Sequence, residues 1–250
     1  MRLLLATTNP HKLDEVRAIV AAHPAPQAGP CPQGPDSLDS QARRHEGAEA
    51  RRAELELVSL ADLALSVPEP VEDGDTFEAN ALKKATYYAA AAGMPCLADD
   101  SGLEVDALGG RPGVHSARYA GATGPRSVVD QANNAKLLRE LAGVPVERRT
   151  ARFVCAMALV TPEAHAFNAW ASSPITVRGT VEGRILLPDE CADPQHPERG
   201  RGTNGFGYDP LFLVPALGHT TAELDPAHKN QLSHRADATR AMLEALRGRG

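Results

Sequence analysis

The run Leu97-Ala98-Asp99-Asp100-Ser101-Gly102 constrains this chain more than any other. An apolar stretch, Pro95-Cys96-Leu97-Ala98, delivers two adjacent carboxylates, a hydroxyl and a glycine. That is the pattern of a buried strand ending in a polar active-site loop, and in open α/β sheets ligands bind beyond the carboxyl ends of strands. Two neighbouring acids at such a place repel one another unless positive charge sits between or beside them, and a divalent cation is the usual solution. A second short strand, Leu103-Glu104-Val105, is predicted to follow the loop.

The 250 residues are read as a single α/β domain, and 42% hydrophobic content suffices for a sizeable core. A net charge of −6 argues against general binding to nucleic acid or to a membrane surface, so an anionic ligand needs a local basic site or a metal. No apolar run reaches the length of a membrane span, and Met1 to Ala6 is too short for a signal-peptide core. Cys31, Cys96, Cys155 and Cys191 are widely spaced, which points to unpaired thiols in a reducing cytoplasm rather than to zinc or disulfides.

Along the chain, Arg2–Ala6 reads as a strand, Thr7–Lys12 as a polar loop and Leu13–Ala22 as a helix with apolar residues at helical spacing. Residues 24–54 are rich in Pro, Gly, Gln, Arg and Ala and read as a surface insertion. Leu55–Leu60 follows as a strand. Thr76 caps a predicted helix over Phe77–Ala92, closed by Gly93. Gly109–Gly113 is a loop and Ser127–Leu141 a helix. Arg152–Val160 and Ala164–Ala171 read as a hairpin, with strand-like alternation resuming over Ile175–Ile185. Residues 188–202 have the composition of a second insertion. An apolar run, Leu211–Val214, precedes one closing helix over Lys229–Arg247.

Five segments carry candidate chemistry. Thr7-Thr8-Asn9-Pro10-His11-Lys12 sets hydroxyls, an amide and a lysine at a helix N-terminus, which suits phosphate oxygens. It lacks the glycines of a P-loop, and a capped helix after an edge strand reads equally well. Within Glu72–Lys84, Asn80 and Lys84 share a helical face beside an acidic loop, a setting for a metal-bound polyphosphate, although a lysine there is also explained by solvation alone. Glu72, Asp99 and Asp100 offer the carboxylates that a Mg²⁺ site combines with phosphates and waters, and chemistry alone does not separate the two aspartates. Gly205-Phe206-Gly207-Tyr208-Asp209-Pro210 joins permissive glycines to two aromatics that could stack on a base, with core packing as the plain reading of Tyr208. Lys229 and Ser233-His234-Arg235 add donors, Arg235 suiting a phosphate or a carbonyl edge.

In this order, these segments closely resemble the XTP/dITP diphosphatase family, also called inosine triphosphate pyrophosphatases. The resemblance also rests on Asp75-Thr76-Phe77-Glu78-Ala79-Asn80-Ala81, Ser116-Ala117-Arg118-Tyr119 and Thr221-Ala222-Glu223-Leu224, and it spans nearly the whole chain outside the two insertions. It implies a two-lobed α/β fold with an elongated mixed sheet flanked by helices, a central cleft and a cytoplasmic homodimer. It implies Mg²⁺-dependent cleavage of ITP, dITP and XTP to the monophosphate and pyrophosphate, which clears deaminated purines from the nucleotide pool. Carried over by residue, Thr7, Thr8, Asn9, Pro10, His11 and Lys12 bind phosphates, with Lys84 facing them. Glu72 and Asp100 are the metal ligands, Asp100 is also the proton acceptor, and Ser101 touches substrate. Phe206, Gly207, Tyr208, Asp209, Lys229, His234 and Arg235 form the nucleoside pocket. Two alternatives remain. A Maf-like pyrophosphatase acting on other modified nucleotides would share the architecture, though Phe206 and His234-Arg235 argue against it. A binding module without turnover would have no need of Asp100 as a base.

Overall fold

Leu3, Leu4 and Leu5 are all buried because β1 (Arg2–Leu5) lies between two parallel neighbours and is covered on both faces. The structure, a computed structural model, describes residues 2–7, 10–23, 55–162 and 173–248. The proposed insertion at 24–54 lies outside the described residues, as do Thr8, Asn9 and the predicted strand over 164–171.

After β1 the chain forms α1 (Pro10–Ala22), β2 (Glu56–Ser59), α2 (Phe77–Ala92) and β3 (Cys96–Val105). Then come α3 (Arg126–Glu140), β4 (Thr150–Val160), β5 (Ile175–Ile185), β6 (Phe212–Val214) and β7 (His219–Thr220), and the chain closes with α4 (Pro226–Leu232) and α5 (His234–Arg247). The strands make one seven-stranded mixed sheet in the order β2-β1-β3-β4-β5-β6-β7. β2, β1 and β3 are parallel, and everything from β3 to β7 is antiparallel. The mixed α/β architecture is therefore the expected one.

α2 forms where its local signals place it. Thr76 is extended and its hydroxyl accepts the Ala79 N–H at 3.1 Å, and Gly93 ends the helix in the left-handed conformation at φ 62°. The helix packs Phe77, Ala81, Ala85 and Ala89 against Ala98, Ala156 and Ala158 of the sheet. On the opposite face, α1 and α5 cover Leu3, Leu5, Leu97, Cys155 and Met157. α5 lies close enough that a Cβ at Gly179 of β5 would stand 2.3 Å from the His234 carbonyl oxygen. A third cluster, around Leu137, Phe153, Phe212 and Leu211, closes the β6 end of the sheet.

Three expectations change. Asp99–Gly102 is not a loop between two strands: β3 runs unbroken from Cys96 to Val105, paired with β4 along its whole length. What ends there is β1, which pairs with β3 only through Leu4↔Cys96 and Leu5↔Leu97. β4 does not form the predicted hairpin edge, because its two edges are taken by antiparallel β3 and β5. The closing helix is two helices, because Ser233 is extended and its hydroxyl accepts the Ala236 N–H at 3.0 Å, starting α5 afresh. Residues 188–202 contain two short 3₁₀ turns packed on the core: Cys191 is buried, and Asn134 of α3 donates to the Glu198 carbonyl at 3.2 Å.

One buried cation ties the antiparallel half together. Arg149 is 2% exposed and donates to the carbonyls of Val144, Leu186 and Leu141 at 3.0, 2.7 and 2.8 Å. It joins the C-terminal end of α3 to the exit of β5. Arg149→Met should take the guanidinium from the Val144 and Leu186 carbonyls, Leu141 keeping the Val144 N–H, and cost about 3 kcal/mol, to be read as a lowered urea midpoint with an unchanged slope.

Candidate functional site

A cleft of ≈ 310 Å³ opens where β1 stops, and nearly all the described candidate residues line it. Beyond Leu97 the edge of β3 faces this cleft instead of a neighbouring strand. Successive side chains of a strand point to opposite faces, so Asp99 and Asp100 are sent to opposite sides of the sheet. Asp99 meets α1 and α5, whereas Asp100 meets α2.

On the α2 side, Lys84 Nζ lies 2.8 Å from Glu72 Oε1 and 4.0 Å from Asp100 Oδ1, so two carboxylates bracket a single cation. Asn80, wholly buried, holds both together: its Nδ2 donates to Asp100 Oδ2 at 3.0 Å while its Oδ1 accepts the Gly74 N–H at 2.8 Å. Arg118 donates to the Glu72 carbonyl at 3.2 Å. Burial raises the pKa of Asp100, and Glu72 adds to this against the opposing pull of Lys84 and Asn80. Burial also opposes the charge on Lys84, but Asp99, Asp100 and Glu72 outweigh it and hold that group above its ordinary value.

On the other side, Asp99 Oδ2 accepts Lys12 Nζ at 2.8 Å and Ser101 Oγ at 2.9 Å, with Arg235 Nε 3.5 Å away. Burial disfavours the Asp99 carboxylate, yet Lys12, Arg235 and Lys84 outweigh it and keep the group ionised well below the usual carboxylate range. Arg235 is itself buried at 4% exposure and donates to Glu15 at 2.6 Å and to Ser101 Oγ at 3.3 Å. Its neighbour His234 stacks on Phe153 with ring centroids 5.1 Å apart. Burial, reinforced by Arg235 and Lys229, holds His234 well below the usual histidine range and so neutral.

Two carboxylates shape the Gly205–Pro210 segment. Asp209 accepts the Phe206 N–H at 2.8 Å, Thr221 Oγ1 at 2.8 Å and Lys229 Nζ at 2.6 Å. Asp130 of α3 accepts the Gly207 N–H at 2.9 Å. Phe206 keeps 36% of its surface exposed, with Lys229 and Arg126 each 5.6 Å from its ring centre. Gly205 is required here: it has φ 79°, and a Cβ would meet Asp209 Oδ2 at 2.1 Å.

Of the residues singled out from sequence, Thr7, Lys12, Glu72, Lys84, Asp100 and Ser101 line this cleft. Phe206, Gly207, Tyr208, Asp209, Lys229, His234 and Arg235 line it too. Pro10 and His11 begin α1. Tyr208 is not an exposed stacking ring: it is 5% exposed and its hydroxyl donates to the Ser116 carbonyl at 2.9 Å. Four further residues belong to the site. Glu15 lies one helical turn after Lys12, and Arg126 stands four before Asp130, spacings that place each pair on one helix face. Nothing in the sequence around Phe153 distinguishes it from an ordinary strand residue.

The sequence profile of the Ham1 family matches residues 3–245. A dITP/XTP pyrophosphatase of Shouchella clausii is 50% identical over 182 residues, covering 73% of this chain and 80% of that protein. One from Geobacter sulfurreducens is 41% identical over 249 residues, covering 100% and 98%. Among solved structures, a HAM1 protein from Coxiella burnetii superposes with a TM-score of 0.72 at 31% identity, covering 99% of each chain. A nucleoside-triphosphatase / dITP/XTP pyrophosphatase from Mycobacterium abscessus gives 0.63 at 37% identity, covering 97% and 99%.

The Asp130 contact is open to a structural test. Asp130→Ala should speed amide hydrogen exchange at Gly207 by about tenfold or more, the worth of one charge-assisted hydrogen bond, while α2 amides keep their protection.

Proposed function

The chain belongs to the Ham1 family, and from that membership we propose that it is a pyrophosphatase for deaminated purine nucleotides. It hydrolyses ITP, dITP and XTP to the monophosphate and pyrophosphate, with Mg²⁺ as cofactor. The observation that carries this reading is the pair of carboxylates, Glu72 and Asp100, bracketing one cation in a cleft that also holds Lys12 and the Phe206–Arg235 segments.

The donor set suits Mg²⁺. No cluster of three or more His, Cys, Asp or Glu able to hold a metal occurs among the described residues. Two oxygen-bearing side chains remain, Glu72 and Asp100, the open arrangement that Mg²⁺ completes with substrate phosphates and waters. When bound, the cation offsets polyphosphate charge. Asp100 accepts the proton of the water that attacks the α-phosphorus, with Asn80 fixing the orientation of its carboxylate. Lys84 and Lys12 face the phosphates, and Lys12 with the N-terminal end of α1 receives the departing pyrophosphate. Phe206 supplies a face for the base, and Lys229 and Arg235 supply donors near it. Donors favour the C6 carbonyl of hypoxanthine or xanthine over the C6 amine of adenine, a mismatch worth ~10⁴ in discrimination.

The homodimer and the cytoplasmic location implied by the resemblance belong to the same proposal. No helix among the described residues is long and apolar enough to cross a membrane. Sedimentation at several concentrations tests the dimer.

Pyrophosphate release from ITP should require Mg²⁺, stop on chelation and return when the metal is restored. Asp100→Asn should fold normally and lose ~10²–10⁴ of turnover, the range of a missing general base. Across ITP, XTP, GTP and ATP, kcat/KM should be highest for ITP and XTP; equal values on all four would refute the base reading.

A further inference from the structure

Asp99 has no part in the reaction proposed above, yet it is one of the most heavily engaged groups in the cleft. Its side chain is 5% exposed, and a single oxygen, Oδ2, takes Lys12, Ser101 and Arg235. Lys12 comes from the first turn of α1, at the phosphate end, and Arg235 from the first turn of α5, beside His234 in the nucleoside pocket. The two cations therefore share one carboxylate oxygen. A second link closes the circuit. Glu15, three residues after Lys12 on α1, bonds Arg235 Nη1 at 2.6 Å and also bonds the Ser233 hydroxyl. Lys12, Asp99, Arg235 and Glu15 thus form a ring of two cations and two anions joining the N-terminal turns of the neighbouring helices α1 and α5.

The members of this ring are not held equally. Lys12 contacts Asp99 at a hydrogen-bonding 2.8 Å, whereas Arg235 stands 3.5 Å from the same oxygen, and its Nε is buried without a hydrogen-bond partner. Lys12, at 19% side-chain exposure, is the member that an entering anion reaches, while Arg235, at 4%, is enclosed. An anion that engages Lys12 weakens its hold on Oδ2. The freed oxygen is then available to Arg235, which reaches it through Nη2 only at a long 3.5 Å and whose Nε, also 3.5 Å away, has no hydrogen-bond partner.

Resting on the nucleotide reading of the cleft, we propose that Asp99 is a positioning residue that couples phosphate recognition to base recognition. Phosphate at Lys12 shifts Asp99 towards Arg235 and fixes the guanidinium beneath the nucleoside pocket. By linkage, nucleoside bound at Arg235 strengthens phosphate binding by the same factor. The enzyme therefore reads the base most sharply when a polyphosphate is attached to it.

Calorimetric titration with the two halves of a nucleotide tests this without turnover. Wild-type protein with Mg²⁺ should bind inosine about tenfold more tightly in saturating inorganic pyrophosphate than without it, within the usual range of coupling between sites. Asp99→Asn keeps the size of the side chain and an acceptor oxygen but removes the shared charge, and there the ratio should fall to about one. Lys12→Gln removes the cation that competes for Oδ2, so it should bind inosine alone about as tightly as wild type does in saturating pyrophosphate, with a ratio of about one. A purely structural Asp99 would change individual affinities and melting temperature yet preserve the ratio. Independent binding of inosine and pyrophosphate to wild type, or a preserved ratio in a folded Asp99→Asn, overturns the coupling. Absence of ITP hydrolysis by wild type would instead overturn the functional reading, so the two failures are distinct.

Discussion

The site depends on the two-residue period of one strand. Because β3 is continuous through Asp99, Asp100 and Ser101, adjacent acids leave it on opposite faces and take different hydrogen-bonding partners, with Lys84 in electrostatic reach of both. Asp99 takes its cations from α1 and α5, and Asp100 shares Lys84 of α2 with Glu72. Had the same residues lain in a loop, the two carboxylates could have converged, with the mutual repulsion that raises the pKa of one of such a pair. The early end of β1 then opens both faces of β3 onto a single cleft.

Around this strand the polar groups serve as fasteners between distant segments. Asn80 ties the Glu72 loop to Asp100, and Asp209 and Asp130 take successive backbone N–H groups of the Phe206 segment. Buried amides and carboxylates are costly unless satisfied, and here the satisfaction is what fixes the geometry. The site is accordingly assembled from both halves of the sheet, with α3 and α5 contributing as much as the parallel strands.

Much of this was legible in the sequence because its signals are local. Thr76 and Gly93 mark the two ends of α2, and Asn80 and Lys84, four apart, share the face that meets Asp100 and Glu72. Other features depend on partners that no local window contains. Asp99-Asp100-Ser101-Gly102 has the composition of a loop, and only pairing with β4 makes it a strand. Ser233 has the character of a site residue, and its capping role shows once the α4–α5 break is seen. Tyr208 and Arg235 look like exposed recognition groups, but the Ser116 carbonyl, and Glu15 with Asp99, draw them inward. Residues 188–202 show their polar composition in the sequence but not that Cys191 and the Glu198 carbonyl hold them against the core.

The shortness of β1 has a further consequence. Past Leu97 the β3 backbone presents a strand edge, and such an edge is a template onto which any extended chain can add. Parts of it are covered: the Leu103 N–H is taken by Ser116 Oγ at 2.9 Å, and the Ser101 N–H by Asp100 Oδ1 at 3.0 Å. Between them, ionised Asp99 with Lys12 on one face and Asp100 with Lys84 on the other would both have to be stripped of solvent by an arriving strand. The charges that equip the cleft therefore also protect the folded chain against edge-to-edge self-association, and neutralising them would be felt in solubility as well as in chemistry.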